Sequence, residues 1–462
     1  MSGKIPSVKT EKADKHHRPP EGEHRVKKAK PDGPRVMSHA ELSAAAEVTG
    51  GIYFEDRSVV TGILKNATCL YKKLGPQNPH LFHNLGHCYL TGCGVKKNPE
   101  KAYLYFKKAA DAGFVQSLLN LGICHRDGIG VPQNFQTAIH YFTLGADKGD
   151  IGAQAELGLL YYTHPELPNH VKQAAKYFKL AADQGHCVSQ FNLGVCHQEG
   201  EGVERDLKMA ATYFKLSAKQ KFADAQHALG VAYRDGLGVK QSAEKAFKYF
   251  KQAAKQNHLS ALYLVAKCYY EGNSTEENPE KAFTYFLLAA DQGDAGAQNY
   301  VAVCYEYGEG CEKDIKKAVH YYTLSAEQEN LTAIYNLGLC YYHGTGVDVD
   351  LHKAEYYLQT AWDRGESDAK SLLRDCYYTL GSNYFKGDGV EENRVEAARY
   401  FTLSADLKNP KAQYDIGACY YNAEGVQKDL KQAQHYFELA AAQNHQDAIR
   451  ALKIMKDKNE LS

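Results

Sequence analysis

A spacing of 36 residues governs this chain of 462 residues. Take as origin a small residue preceded by an aliphatic one. It recurs at Gly86, Gly122, Gly158, Gly194, Gly230, Ala266, Ala302 and Gly338, 36 apart each time, then at Gly381 after 43 and Gly417 after 36. Sixteen residues past the origin stands Ala in all ten cases (Ala102 to Ala433), and nineteen past it stands Tyr (Tyr105 to Tyr436). Self-similarity at such a period marks an array of small units stacked in line. The length agrees, since one hydrophobic core stops growing at roughly 250–300 residues.

Each unit reads as two helices. In the first, an Ala-like residue at −5, an aliphatic at −1 and usually Tyr at +3 make one apolar stripe. A glycine-bearing loop follows, as in Gly92-Cys93-Gly94-Val95. Position +12 holds Asn, Asp or Ser in nine repeats, the residue types that cap a helix start. The second helix carries the constant Ala and Tyr and usually Phe. The origin glycine lies inside the first helix, where it costs ~1 kcal/mol against Ala. Close approach of the second helix explains its use in eight repeats. The expected fold is all-α: a solenoid in which each hairpin is buried by its neighbours, leaving an extended concave face.

The pattern A…LG..Y..G.GV..D..KA..YF..AA resembles the Sel-1-like repeat family, relatives of the tetratricopeptide repeats, over about residues 80–445. The resemblance implies a right-handed α/α superhelix that serves as a scaffold for protein partners. It also frames the ends. Residues 446–462, with Ala448 at −5 and Leu452 at −1, read as a capping helix with a polar outer face. Residues 41–79 read as a degenerate N-terminal cap, with Val59–Leu74 as its helix. Residues 1–40 hold ten Lys/Arg against five Asp/Glu and no aromatic residue, the composition of a disordered basic tail.

Lys+Arg and Asp+Glu are both 55, so the net charge is zero. Whole-protein nucleic-acid binding, which needs a basic excess, is not expected of the repeat body. Nothing approaches the ~18 apolar residues of a membrane span. The start lacks a secretory h-region. The tail run Lys27-Lys28-Ala29-Lys30-Pro31 has the form of a short nuclear-import signal, a form basic tails also reach by chance. The expected location is the cytoplasm, with the nucleus as the alternative.

Chemistry-bearing motifs are weak. Seven of twelve cysteines (Cys88, Cys124, Cys196, Cys268, Cys304, Cys340, Cys419) sit at +2 beside the core stripe, and no Cys-x-x-Cys occurs. They read as buried thiols. The secreted branch of the family bridges the end of one second helix to the next first helix; here +24 is Ala in nine repeats, which excludes that pairing. His80, His83 and His87 cluster with Cys88, but His-Asn-Leu-Gly-His lacks the glutamate of a metalloprotease helix. The Gly-x-Gly pairs follow helices rather than strands, so they are not nucleotide loops. No catalytic residue, cofactor or metal is expected.

The expected function is a non-enzymatic adaptor for proteins or extended peptides. The alternative is a regulatory subunit or activator of an enzyme, or a hydrolase acting on small substrates. On a helical wheel, −3 and +4 point nearly opposite the core. In repeats one to five they are mixed: His83, Leu90, Leu119, Arg126, Ala155, Tyr162, Phe191, Gln198, His227 and Arg234. From repeat six they become Tyr263, Tyr270, Asn299, Glu306, Tyr335, Tyr342, Tyr378, Phe385, Tyr414 and Tyr421. These rings are expected either to form the partner-binding groove or to pack between successive first helices. Three further expectations concern irregularities. The seven extra residues before Gly381 lengthen one first helix by about two turns. Trp362 packs under that extension, near Leu372 or Leu373. The loops of repeat three (Tyr162–His170, two prolines, no glycine) and repeat six (Gly272–Asn278, acidic) depart from the common turn and protrude.

Overall fold

The structure, a computed structural model, describes residues 79–458 apart from Gly94. The tail and the proposed N-terminal cap, Val59–Leu74 included, lie outside the described residues. Twenty-one helices and no strand occur among the described residues: ten antiparallel pairs and a final single helix, Gln446–Asp457. Each first helix packs on its own second helix and on the second helix of the repeat before it. First helices of repeats two and three, and of eight and nine, also approach each other closely, which second helices do not match. At these two junctions the first-helix side of the array is the more tightly spaced one.

The caps explain where the helices start. All nine polar residues at +12 accept a backbone N–H from the first turn of the second helix, as Asn98 does from Lys101 at 2.8 Å. A second set, at −8, starts the first helices: Asp150, His186, His258, Asp294, Asn330, Asn409 and His445. Three of these are histidines, accepting through Nδ1.

The origin glycine is a contact residue. A Cβ there would lie within 2.9 Å of the +20 side chain in all eight glycine repeats, Phe106 to Phe437 and Leu358. In repeat six Ala266 occupies the origin, and the ring of Phe286 instead lies flat against Tyr300 at 4.6 Å. The second loop glycine, at +8, sits against the preceding repeat. A Cβ on Gly130, Gly202, Gly238, Gly310 or Gly425 would overlap a carbonyl oxygen in the first turn of the previous second helix.

Polar staples recur beside this core. In five repeats a buried Gln at −4 donates to the carbonyl eight residues earlier and accepts from a Gln at +26. The pairs, Gln154–Gln184 to Gln413–Gln443, stand at 2.8–2.9 Å.

The irregularities come out in part as the sequence implies. The first helix of repeat nine, Ala369–Lys386, has 18 residues against 12 or 13 in its siblings. It is five residues longer, not seven; the other two stay in the turn at 367–368. Trp362 is half-buried and packs in the cluster that contains Leu372 and Leu373, with the Lys370 ammonium 5.2 Å from its ring. The loop of repeat three lacks the common turn: its first helix ends at His164 without a left-handed cap, and Asn169 takes φ 53° with no side-chain bond. Repeat six keeps Gly272 in the left-handed turn and departs only beyond it, where Ser274 replaces the +8 glycine. The terminal helix buries Ala448 and Met455, but Ile449 and Ile454 are exposed, so its outer face is not wholly polar.

The turn from each second helix to the next first helix needs a left-handed residue at +27. Lys221 and Lys408 adopt it at φ 66° and 67° without being glycine. Open space surrounds Gly149, Gly185 and Gly293 at the same place in other repeats. The strain of a side chain there exceeds the extra entropy glycine loses on folding. Lys221→Gly and Lys408→Gly should therefore each stabilise by about 0.5–1 kcal/mol, read as a raised thermal midpoint. A lowered midpoint would refute the strain.

Candidate functional site: the inner face of the first helices

In each repeat the −5 residue is buried, and the −1 residue is buried in all but the first. The +3 residue behaves differently from a core residue. In all ten repeats its ring stacks against the +19 Tyr, with centroids 5.4–6.1 Å apart and planes within 20°. Two of these partners are His125 and His197. In five repeats a Lys at +15 sits 5.0–5.5 Å from the +3 ring centroid. The constant Tyr therefore belongs to a rim stack, and Ala at +16 with the +20 ring fills the core.

The eight candidate residues on the inner face are all half-buried. Tyr263 and Tyr270 lie on Phe286 (5.9 and 6.2 Å) and on Tyr300 of the next first helix (6.0 and 5.5 Å). Tyr335 and Tyr342 pack against the cluster around Leu358. Tyr378 and Phe385 flank Phe401 at 6.0 and 6.1 Å, and the Arg394 guanidinium covers Phe385 at 3.7 Å. Tyr414 lies between Phe437 (5.7 Å) and His445 (5.1 Å), while the Tyr421 hydroxyl accepts from Lys458 at 2.9 Å. Each ring thus seals a seam with one part and leaves the other open. The two expected roles do not exclude each other.

Carboxylates accompany these rings. Glu306 accepts from the buried Tyr322 hydroxyl at 2.6 Å. Tyr263 faces Asp294 and Glu271, Tyr270 bonds Glu309, and Tyr335 faces Asp368 and Glu366. Burial, aided by these carboxylates, raises the phenols of Tyr263, Tyr270 and Tyr335. The phenols therefore stay neutral donors. Asp415, next to Tyr378, is itself pushed up to about 6 by burial. One ring escaped the wheel argument: Tyr307, at +5 of repeat seven beside Glu306 and Glu309, is 65% exposed. Its signal was present as one more aromatic after Glu306.

In the N-terminal half the same positions are mixed: three are buried, six half-buried and Arg234 exposed. Phe191 and His227 are buried, Arg126 is buried against Asp127 at 2.7 Å and against Glu156, and Tyr162 donates to Glu201 at 2.8 Å. His83 meets Ser117 at 2.9 Å and His87 meets Asn120 at 3.4 Å across the seam to repeat two. Burial, with His87 and His80 nearby, lowers His83 to about 4. Among the described residues no group of three His, Cys, Asp or Glu side chains is placed to hold a metal. The eleven described cysteines are free thiols, and burial pushes Cys124, Cys196, Cys304, Cys340 and Cys419 up to about 12. Among the described residues no helix is long and apolar enough to cross a membrane.

Comparison with known proteins adds the family. The Sel1 repeat profile matches ten times, at residues 83–114, 115–150, 151–186, 187–222, 223–258, 259–294, 295–330, 331–366, 374–409 and 410–445. The unmatched residues 367–373 are the insertion. The chain is similar to a protective antigen of uropathogenic Escherichia coli with an SLR fold: 26% identity, TM-score 0.64, covering 86% of this chain and 91% of that one. It also matches a Sel1 repeat protein from Oxalobacter formigenes at 27% identity and TM-score 0.43, covering 54% of this chain and 96% of that one. No curated protein matches.

Proposed function

The chain belongs to the Sel1 repeat family, and on that premise we propose that it is a non-catalytic adaptor. It holds an extended peptide of a partner protein along the first-helix face of repeats six to ten. The observation that carries this is the run of half-buried Tyr and Phe at −3 and +4 in that half alone. Tyrosine gives a large, stiff contact area with a hydroxyl at its edge, which suits interface anchors. The same positions of repeats one to five hold only two Phe or Tyr residues, the buried Phe191 and the half-buried Tyr162, whose hydroxyl is engaged by Glu201, so no comparable run of rings forms there.

The half-burial of Tyr335, Tyr342 and Tyr414 decides how to test this. Their truncation to Ala removes packing as well as surface, so loss of capture would not separate the two roles. Tyr307 is the cleaner probe. Tyr307→Ala should remove at least one captured protein, by tenfold or more, from the set retained by wild type. The thermal midpoint should shift by under 1 °C, as for other exposed positions. An identical captured set for Tyr307→Ala and for Tyr342→Phe would sink the assignment.

A further inference from the structure

The face is also strongly one-signed in charge. Residues 79–258 carry twenty-one Lys/Arg against fifteen Asp/Glu, whereas residues 259–366, repeats six to eight, carry seven against seventeen. On the three first helices of that stretch the single Lys or Arg is Lys267, and it is paired with Glu271 at 3.2 Å. Glu271, Asp294, Glu309, Glu366 and Asp368 each face a ridge tyrosine. A chain with no net charge thus concentrates its negative charge beside its aromatic ridge.

The complement lies in the same chain. Of the residues preceding Pro79, the first forty have a net charge of +5, with Arg25, Lys27, Lys28 and Lys30 within six positions. We infer that this segment, around Arg25 to Lys30, lies along the tyrosine ridge of repeats six to eight. The inference rests on the reading of that face as peptide-binding and names its resident occupant.

The physical case has three parts. A cation placed over a tyrosine face is attracted by the ring, and the fold already uses that contact five times between its own Lys and the +3 rings. Reach is sufficient: the 49 residues from Lys30 to Pro79 span at most ~160 Å. The ridge starts on the order of 50–60 Å from repeat one, at ~10 Å per repeat. Tethering supplies a local concentration near the millimolar range, so even a weak site is filled. Arg25 to Lys30 also lacks acidic residues and bulky side chains other than its cations, as an extended strand along a ridge requires. A second copy of the chain could present its positive half instead, but a rigid array of helices does not lie in contact along this ridge as a single strand does.

The test uses the full chain with a photo-crosslinking residue at Tyr307, mixed as isotopically light and heavy copies. Crosslinks should map within one copy to residues 20–35. They should fall at least fivefold in 0.5 M salt and in Arg25→Glu/Lys27→Glu/Lys28→Glu/Lys30→Glu. Crosslinks that ignore the charge reversal, that avoid the tail, or that join two copies would overturn the inference. A fluorescent peptide of residues 22–33 separates this from the adaptor reading. It should bind the charge-reversed chain at least fivefold more tightly than wild type. Equal binding to both refutes tail occupancy while leaving a peptide groove; no binding to either refutes both.

Discussion

Valine in place of Gly194 should cost the array about 3 kcal/mol and break its unfolding into two steps. The Cβ would stand 2.6 Å from the Phe214 ring and 3.2 Å from the carbonyl oxygen of Ala210, with the whole site buried. Helix propensity pulls the other way, favouring valine over glycine by a few tenths of a kcal/mol. The steric term is several times larger and wins. Because each repeat touches only its neighbours, the damage stays local. The repeats on either side should melt as separate blocks, visible as two calorimetric transitions. Gly194→Ala should cost about 1 kcal/mol, since Ala266 in repeat six shows that one methyl fits when the ring moves aside toward Tyr300. A single, unshifted transition for the valine variant would show that the helices are not held at this distance.

Acid should weaken the chain from about pH 6.5 downward. His227 is 8% exposed and stacks on His258 at 4.7 Å. Burial holds it at about 3 in the fold, with His258 adding to the effect, Asp224 opposing it and Arg234 adding again. Unfolded, the same imidazole titrates near 6.5. Above that value it is neutral in both states and stability does not depend on it. Between 6.5 and about 3 the unfolded chain binds a proton the folded chain refuses, so stability falls as pH falls, by ~1.4 kcal/mol per unit. The loss should reach about 2–3 kcal/mol at pH 4.5. Asp415 has the opposite sign, because a carboxyl raised to about 6 keeps a proton in the fold that the unfolded chain releases. Comparing wild type with His227→Phe/His258→Phe isolates the imidazole. Repeat four already carries the equivalent pair, Phe191 on Phe222 at 5.5 Å. The stability difference between the two proteins should be constant above about pH 6.5 and shift as pH falls below it, the phenylalanine variant keeping the stability that wild type loses. Parallel curves would remove His227 as the cause.

The repeat, its two helices, the +12 caps and the reason for the origin glycine were legible because each is a matter of residue type at fixed spacing. The polar staples were not. A Gln at −4 reads as surface, and only the packing of the two helices of one hairpin brings the Gln at +26 to it. The −8 caps were not read from the sequence at all, and three of them, His186, His258 and His445, use a residue that is a rare acceptor at a helix start. His125 and His197 looked like exceptions at +3, yet they stack as the tyrosines do. In the insertion, Asp368 begins the long helix without a side-chain cap, so two of the seven extra residues remained in the turn. For the inner face, a wheel gives direction but not the distance to the next helix. That distance decides that Tyr263 and Tyr378 are half sealed, and no periodicity encodes it.

Trp362 gives the molecule an optical label at one joint. The chain has 34 tyrosines spread over every repeat and a single tryptophan. That indole is wedged where the lengthened helix of repeat nine meets repeat eight, under the Lys370 ammonium. Tyrosine emission therefore averages the whole array, whereas excitation at the red edge of the absorption band selects one junction. Loosening of the last two repeats from the other eight changes the colour of that emission, and loosening anywhere else leaves it untouched.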